Sequence, residues 1–205
     1  GHDGSTHHGV FDLSFLRCIP NMDIVSPSDA EELQNLMFTA QKGIKHPLAI
    51  RYPRGYTSKT KEIYDFKTIP WGKGRLLEKG TTIAILSLGT LATIIEDAIK
   101  NSVNSDAFSH YDLRFVKPLD TQMLNVICKT HKALIIFEDG VKSGGVGSAI
   151  LEFAAQENYT LPIQLEGIPD VFIKHGKTES LHVELGWDIP SIVEKISLLL
   201  NKTEG

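Results

Sequence analysis

Five residues have types and spacing that could do chemistry: Asp3, His7, His8, Arg51 and Arg54. The first three sit in "DGSTHHG", residues 3–9, where an acid, two hydroxyls and two histidines lie between glycines. A histidine titrates near neutrality, so it can move a proton or donate to a developing oxyanion. Asp3 precedes His7 by four residues, close enough in a loop to hydrogen-bond it or to share a substrate. Glycines let backbone approach a ligand. The same stretch also reads as a solvated terminal loop. His2, His7 and His8 could hold a metal ion, but zinc wants three or four ligands on an ordered scaffold, and no cysteine or second histidine pair stands nearby. Arg51 and Arg54 flank Pro53 in "RYPRG"; the planar guanidinium fork suits phosphate, and two solvated surface arginines are the plain alternative. "SGGVGS", 143–148, could cradle an anion on backbone N–H groups. It is neither a dinucleotide fingerprint nor a P-loop, so a tight turn with close helix–sheet packing is the favoured reading.

These residues need a scaffold, and the pattern supplies one. "MDIVS" (22–26) reads as a buried strand, followed by a helix with Ser28 as N-cap, Glu31 in capping-box position and Leu33, Leu36, Met37 and Ala40 on one face. Gly43 ends it, and "PLAIRYPRG" (47–55) is the next strand. Strand, helix, strand predicts parallel pairing. Residues 56–75 are polar and turn-rich, as in an interdomain linker. A second unit alternates strands at 82–88, 110–116, 133–137 and 161–167 with helices capped by Asp120, Thr178 and Asp188, among others. The fold class is α/β, with a mostly parallel sheet flanked by helices.

Composition narrows the function. The 205 residues carry 21 basic and 25 acidic side chains, with no basic stripe for nucleic acid and no apolar run of membrane-spanning length. Two isolated cysteines, Cys18 and Cys128, argue against a disulfide framework or a Cys zinc site and suit a reducing cytoplasm. The sequence lacks an initiator Met and starts inside what reads as a functional loop, which predicts a piece of a longer protein.

The motifs "DGSTHHGVFDLSFLRCIPNM", "PSDAEEL", "RYPRG", "LRFVKPLD", "GGVGS" and "IPDVFIKHG" occur in this order. Over essentially the whole length the chain thereby resembles the 1-deoxy-D-xylulose-5-phosphate synthases, thiamine-diphosphate enzymes of isoprenoid-precursor synthesis. The resemblance implies residues 1–57 as the end of a transketolase-like pyrimidine-binding domain, 58–75 as linker and 76–205 as a transketolase C-terminal domain. It implies condensation of pyruvate with D-glyceraldehyde 3-phosphate and loss of CO₂, by a homodimer using thiamine diphosphate and Mg²⁺. On it, His7 and Asp3 are catalytic, Arg54 binds the acceptor's phosphate, Arg51 supports, and His8 has no role. The "GDG…N" motif that holds diphosphate and Mg²⁺ is absent, as is the segment with the activating Glu. No cofactor or metal is therefore expected on this chain, which alone should be inert. Transketolase, which shares the Asp–Gly–x–Thr–His motif, and a non-catalytic dimerisation module are the rival readings.

Overall fold

A computed structural model describes residues 1–55 and 65–204. Its larger sheet has five strands in the order β3 (Arg75–Glu78), β5 (Phe108–Asp112), β4 (Ile83–Ser87), β7 (Ala133–Val141) and β8 (Ile163–Ile168). β5, β4, β7 and β8 run parallel, and β3 closes one edge antiparallel to β5. Every residue of β4 is buried, as a strand covered on both faces requires. Successive side chains point to opposite faces. Ile83 and Ile85 therefore join one core with α3 (Leu91–Lys100) and α7 (Ile189–Glu204), through Ile95, Ile99, Ile192 and Ile196. Ala84 and Leu86 join the other with α4 (Thr121–Thr130) and α5 (Val146–Gln156), through Leu124, Ile127, Ile150 and Phe153. Two cores on one sheet make this an α/β layer structure. Asp120 caps α4 as expected, its side chain accepting from Met123 N–H.

The N-terminal unit contains α1 (Asp12–Arg17), β1 (Asp23–Val25), α2 (Ala30–Gln41) and β2 (Leu48–Ile50), with β1 and β2 parallel. Its third strand, β6 (Phe115–Lys117), comes from the other unit and pairs antiparallel with β1. The single strand expected at 110–116 is thus two strands in two sheets. They separate at Arg114, whose φ of 55° is unusual for a bulky residue. Arg114 is held there by its N–H on the Asp112 carboxylate (3.0 Å) and its guanidinium on Glu32 (2.7 Å).

Two helix caps shift by one residue. Asp29, not Ser28, caps α2 by accepting from Glu32 N–H, and Ser28 Oγ instead accepts from Arg75. Thr178 is the first residue of α6 (Thr178–Glu184), and Lys177 precedes it as N-cap without a side-chain bond. Of the stretch expected as linker, 58–64 lies outside the described residues. The part from 65 to 74 packs on the small sheet: Ile69 is buried, and Trp71 donates to Asp23 (2.9 Å) and meets Phe115 edge-on. Arg75 then ties the units together, pairing with Glu32 of α2 and Asp112 of β5.

Candidate functional site

Ligands in open α/β sheets bind beyond the carboxyl ends of the strands. A cleft of about 380 Å³ lies there, between the units. Asp3, His7, Arg51 and Arg54 line it from the N-terminal unit, and Asp139 and His182 line it from the other. All four residues expected from the sequence therefore border one cavity.

At the cleft mouth, the chain turns twice on glycines, Gly4 at φ 80° and Gly9 at φ 64°. His7 N–H donates to Gly4 carbonyl (3.0 Å), and Gly176 N–H donates to Gly1 carbonyl (3.0 Å), tying the loop to the segment before α6. Asp3 does not bond His7. It accepts two bonds from Arg54 Nη1, at 2.7 and 2.5 Å. A guanidinium within reach draws a carboxylate strongly, because both partners of the hydrogen bond are charged. The Arg54 hydrogen bond, then its charge, holds the Asp3 carboxyl below its ordinary pKa. Both partners are exposed, Arg54 at 85%. His7 Nδ1 shares a hydrogen bond with the Thr6 hydroxyl (2.8 Å), and the imidazole is exposed at the mouth.

Deeper in the cleft, Arg51 is 17% exposed and fully engaged. Nε donates to both Asp12 oxygens (2.9 and 3.1 Å), and Nη2 donates to the carbonyls of Asp139 (2.7 Å) and Gly9 (3.1 Å). Nη1 pairs with the Asp139 carboxylate. Burial alone would lower the Arg51 pKa, but Asp139 and Asp12 outweigh it and raise the value. Burial raises the Asp139 carboxyl, and Arg51 pulls it back.

Behind Asp139 stands Glu138, 1% exposed. Its two oxygens accept from Val146 N–H (2.7 Å) and Gly147 N–H (3.0 Å) at the start of α5. "SGGVGS" is thus a tight turn with close packing, and the acceptor seated on its N–H groups is the protein's own Glu138 carboxyl. A Cβ on Gly145 would stand 2.1 Å from a Glu138 oxygen, which explains the glycine. Burial, opposed by the two N–H donors, pushes Glu138 to about 7.

Sequence reasoning missed Glu138, Asp139 and His182 as parts of this region. The available signal was "FED", an acidic pair at the carboxyl end of a buried parallel strand. As a donor set, the cleft offers guanidinium, imidazole and a short polar loop, which suit an oxyanion. Among the described residues, no three His, Cys, Asp or Glu side chains cluster as a metal ion would need. The described residues therefore do not form a seat for a metal–diphosphate group. No helix among the described residues is long and apolar enough to cross a membrane.

Two joined α/β units with a cleft at their strand ends define the transketolase class of architecture. A solved structure described as "Split gene transketolase, inactive beta4 tetramer" superimposes with a TM-score of 0.79 at 25% identity, over 96% of this chain and 63% of that one. The family model for the transketolase C-terminal domain matches residues 72–192, and that for the transketolase pyrimidine binding domain matches 1–59. The chain belongs to the transketolase family. It is similar to 1-deoxy-D-xylulose-5-phosphate synthases of Bacteroides fragilis (44% identity over 199 residues, 96% of this chain) and Vibrio parahaemolyticus (42% over 204 residues, 98% of this chain). It spans 31% and 32% of those relatives' lengths.

Proposed function

We propose that this chain is the acceptor-binding side of a 1-deoxy-D-xylulose-5-phosphate synthase. Residues 1–57 are then the end of its pyrimidine-binding domain and 76–205 its C-terminal domain. In the reaction pyruvate loses C1 as CO₂, its C2 bonds to the aldehyde carbon of D-glyceraldehyde 3-phosphate, and the resulting oxyanion takes up one proton. The observation that carries this reading is the exposed Arg54 at the cleft mouth, its guanidinium held, among the described residues, by one surface carboxylate, that of Asp3. A phosphate dianion can replace Asp3 there with bidentate geometry. Asp3, once released, can accept from an acceptor hydroxyl. His7 borders the same mouth with an imidazole able to hold or deliver the proton. Arg51 takes no part in the exchange and keeps the loop in register.

Thiamine diphosphate with Mg²⁺, bound elsewhere in a whole, cytoplasmic homodimeric protein, supplies the electron sink. The 205-residue chain alone neither turns over nor holds that cofactor tightly. A second reading, an assembly module without turnover, is favoured by the likeness to a tetramer described as inactive. Light scattering beside an activity assay on this chain separates the two.

The whole protein is tested with thiamine diphosphate, Mg²⁺, D-glyceraldehyde 3-phosphate and either pyruvate or xylulose 5-phosphate. Release of CO₂ from pyruvate with formation of the five-carbon product supports the reading; turnover of xylulose 5-phosphate instead makes the protein a transketolase. In the same assay His7→Ala should lower kcat by about 100-fold or more, the usual scale for a lost proton-transfer group.

A further inference from the structure

Arg51 joins two parts of the chain that are distant in sequence: Asp139 lies 88 residues beyond it. On one side, its partners are Gly9 carbonyl, where the loop bearing His7 ends, and Asp12, the first residue of α1. Across the cleft, its partner is Asp139, through both carbonyl and carboxylate. Residue 139 sits where the β7–β8 register shifts, between Phe137 and Val141. It lies within β7, next to Glu138, whose carboxylate is fixed on the start of α5. Two residues on, Val141 N–H donates to Val10 carbonyl (2.9 Å), a second tie to the chain just after Gly9. Around Arg51 the charged and titratable groups are thus Asp12 from α1, Asp139 and Glu138 from β7, and His182 from α6. Arg54 follows three residues later, with Pro53 fixing φ between the two arginines.

We propose that Asp139 is a positioning residue for the acceptor site: through Arg51 it locks Gly9 and Asp12, and so sets the spacing between His7 and Arg54. The inference rests on reading this cleft as the acceptor side of the synthase. It makes the C-terminal domain a working part of the site rather than a neighbour of it. Asp139→Ala removes the carboxylate while leaving the backbone carbonyl bond to Arg51. Asp139→Asn keeps a neutral oxygen acceptor and gives a partial rescue.

The test uses the whole protein. Hydrogen exchange without substrates reads the loop directly. In Asp139→Ala, amides 4–10 should exchange about tenfold faster, as local opening becomes easier, while those of α5 stay as in the parent. Steady-state kinetics should show the KM for D-glyceraldehyde 3-phosphate raised about tenfold with the KM for pyruvate nearly unchanged, since small misplacements of binding groups are costly. Asp139→Asn should lie between the parent and Asp139→Ala in both measurements, and it is the variant to read if Asp139→Ala does not fold. A purely structural residue would lower Tm without splitting the two KM values. Unchanged exchange at 4–10, or equal changes in both KM values, overturns the proposal. Faster exchange in a protein whose parent shows no condensation supports the joint and overturns the functional reading beneath it.

Discussion

Arg51 and Arg54 stand three residues apart and have opposite surroundings. Arg54 is 85% exposed and bonds one surface carboxylate; Arg51 is 17% exposed and bonds two carboxylates and two carbonyls. In water an ion pair gains little, because solvent screens it and both side chains lose freedom. Such a pair forms and breaks easily. A mostly buried guanidinium with all its directions taken is held in place, because undoing it would strand charges. One motif thus presents a fixed cation inside and an exchangeable one at the mouth. A binding site needs both: a rigid frame, and a group whose internal partner a ligand can displace.

The contrast is easiest to break from the inside. Arg51→Ala leaves Asp12 and Asp139 facing each other unpaired, and should cost about 2–3 kcal/mol in urea unfolding, somewhat below the range for a fully buried pair. A cost near zero would mean that the inner network is as loose as the mouth.

Glu138 tests the frame with pH. Its folded pKa of about 7 lies above the ordinary 4.5, so the folded state holds a proton that the unfolded chain releases. Its contribution to stability is full below about 4.5 and is lost as pH rises through about 7, with a slope of at most about 1.4 kcal/mol per pH unit. Relative to Glu138→Gln, which does not titrate, the parent should therefore lose stability between pH 5 and pH 8. A parent that gains on the variant over that range would mean that the α5 N–H groups keep the carboxylate ionised.

The smallest effect belongs to the mouth. Asp3→Asn removes the charge facing Arg54, and thermal unfolding should show no resolvable change in Tm. A clear drop would show that the mouth pair is structural and not exchangeable.

The same inside–outside division decides what the sequence revealed. Asp3, His7 and Arg54 stand in short local motifs, and Arg51 shares one of them, so their types and spacing were readable. Asp139 and His182 reach the cleft, with Glu138 behind them, only when β7 and α6 fold against the first unit, and no local spacing records that. In the fold, β4 and β7 were legible because strands covered on both faces are continuously apolar. The α4 cap was legible because Asp120 acts within its own turn. α1 has six residues, too few to show a helical period, and it was missed. β3 was missed as a four-residue edge strand inside a polar stretch. The alternation of 110–116 runs unbroken through the turn at Arg114, because that turn uses neither glycine nor proline but a carboxylate on each side, Asp112 and Glu32.

The central claim is that Arg54 exchanges Asp3 for the acceptor's phosphate. The most direct measurement is the pair of KM values for Arg54→Ala in the whole protein, with pyruvate and D-glyceraldehyde 3-phosphate varied in turn. The KM for the phosphorylated aldehyde should rise by about tenfold or more, the scale of one lost charge-assisted bond, with that for pyruvate unchanged. An unchanged aldehyde KM would contradict the account.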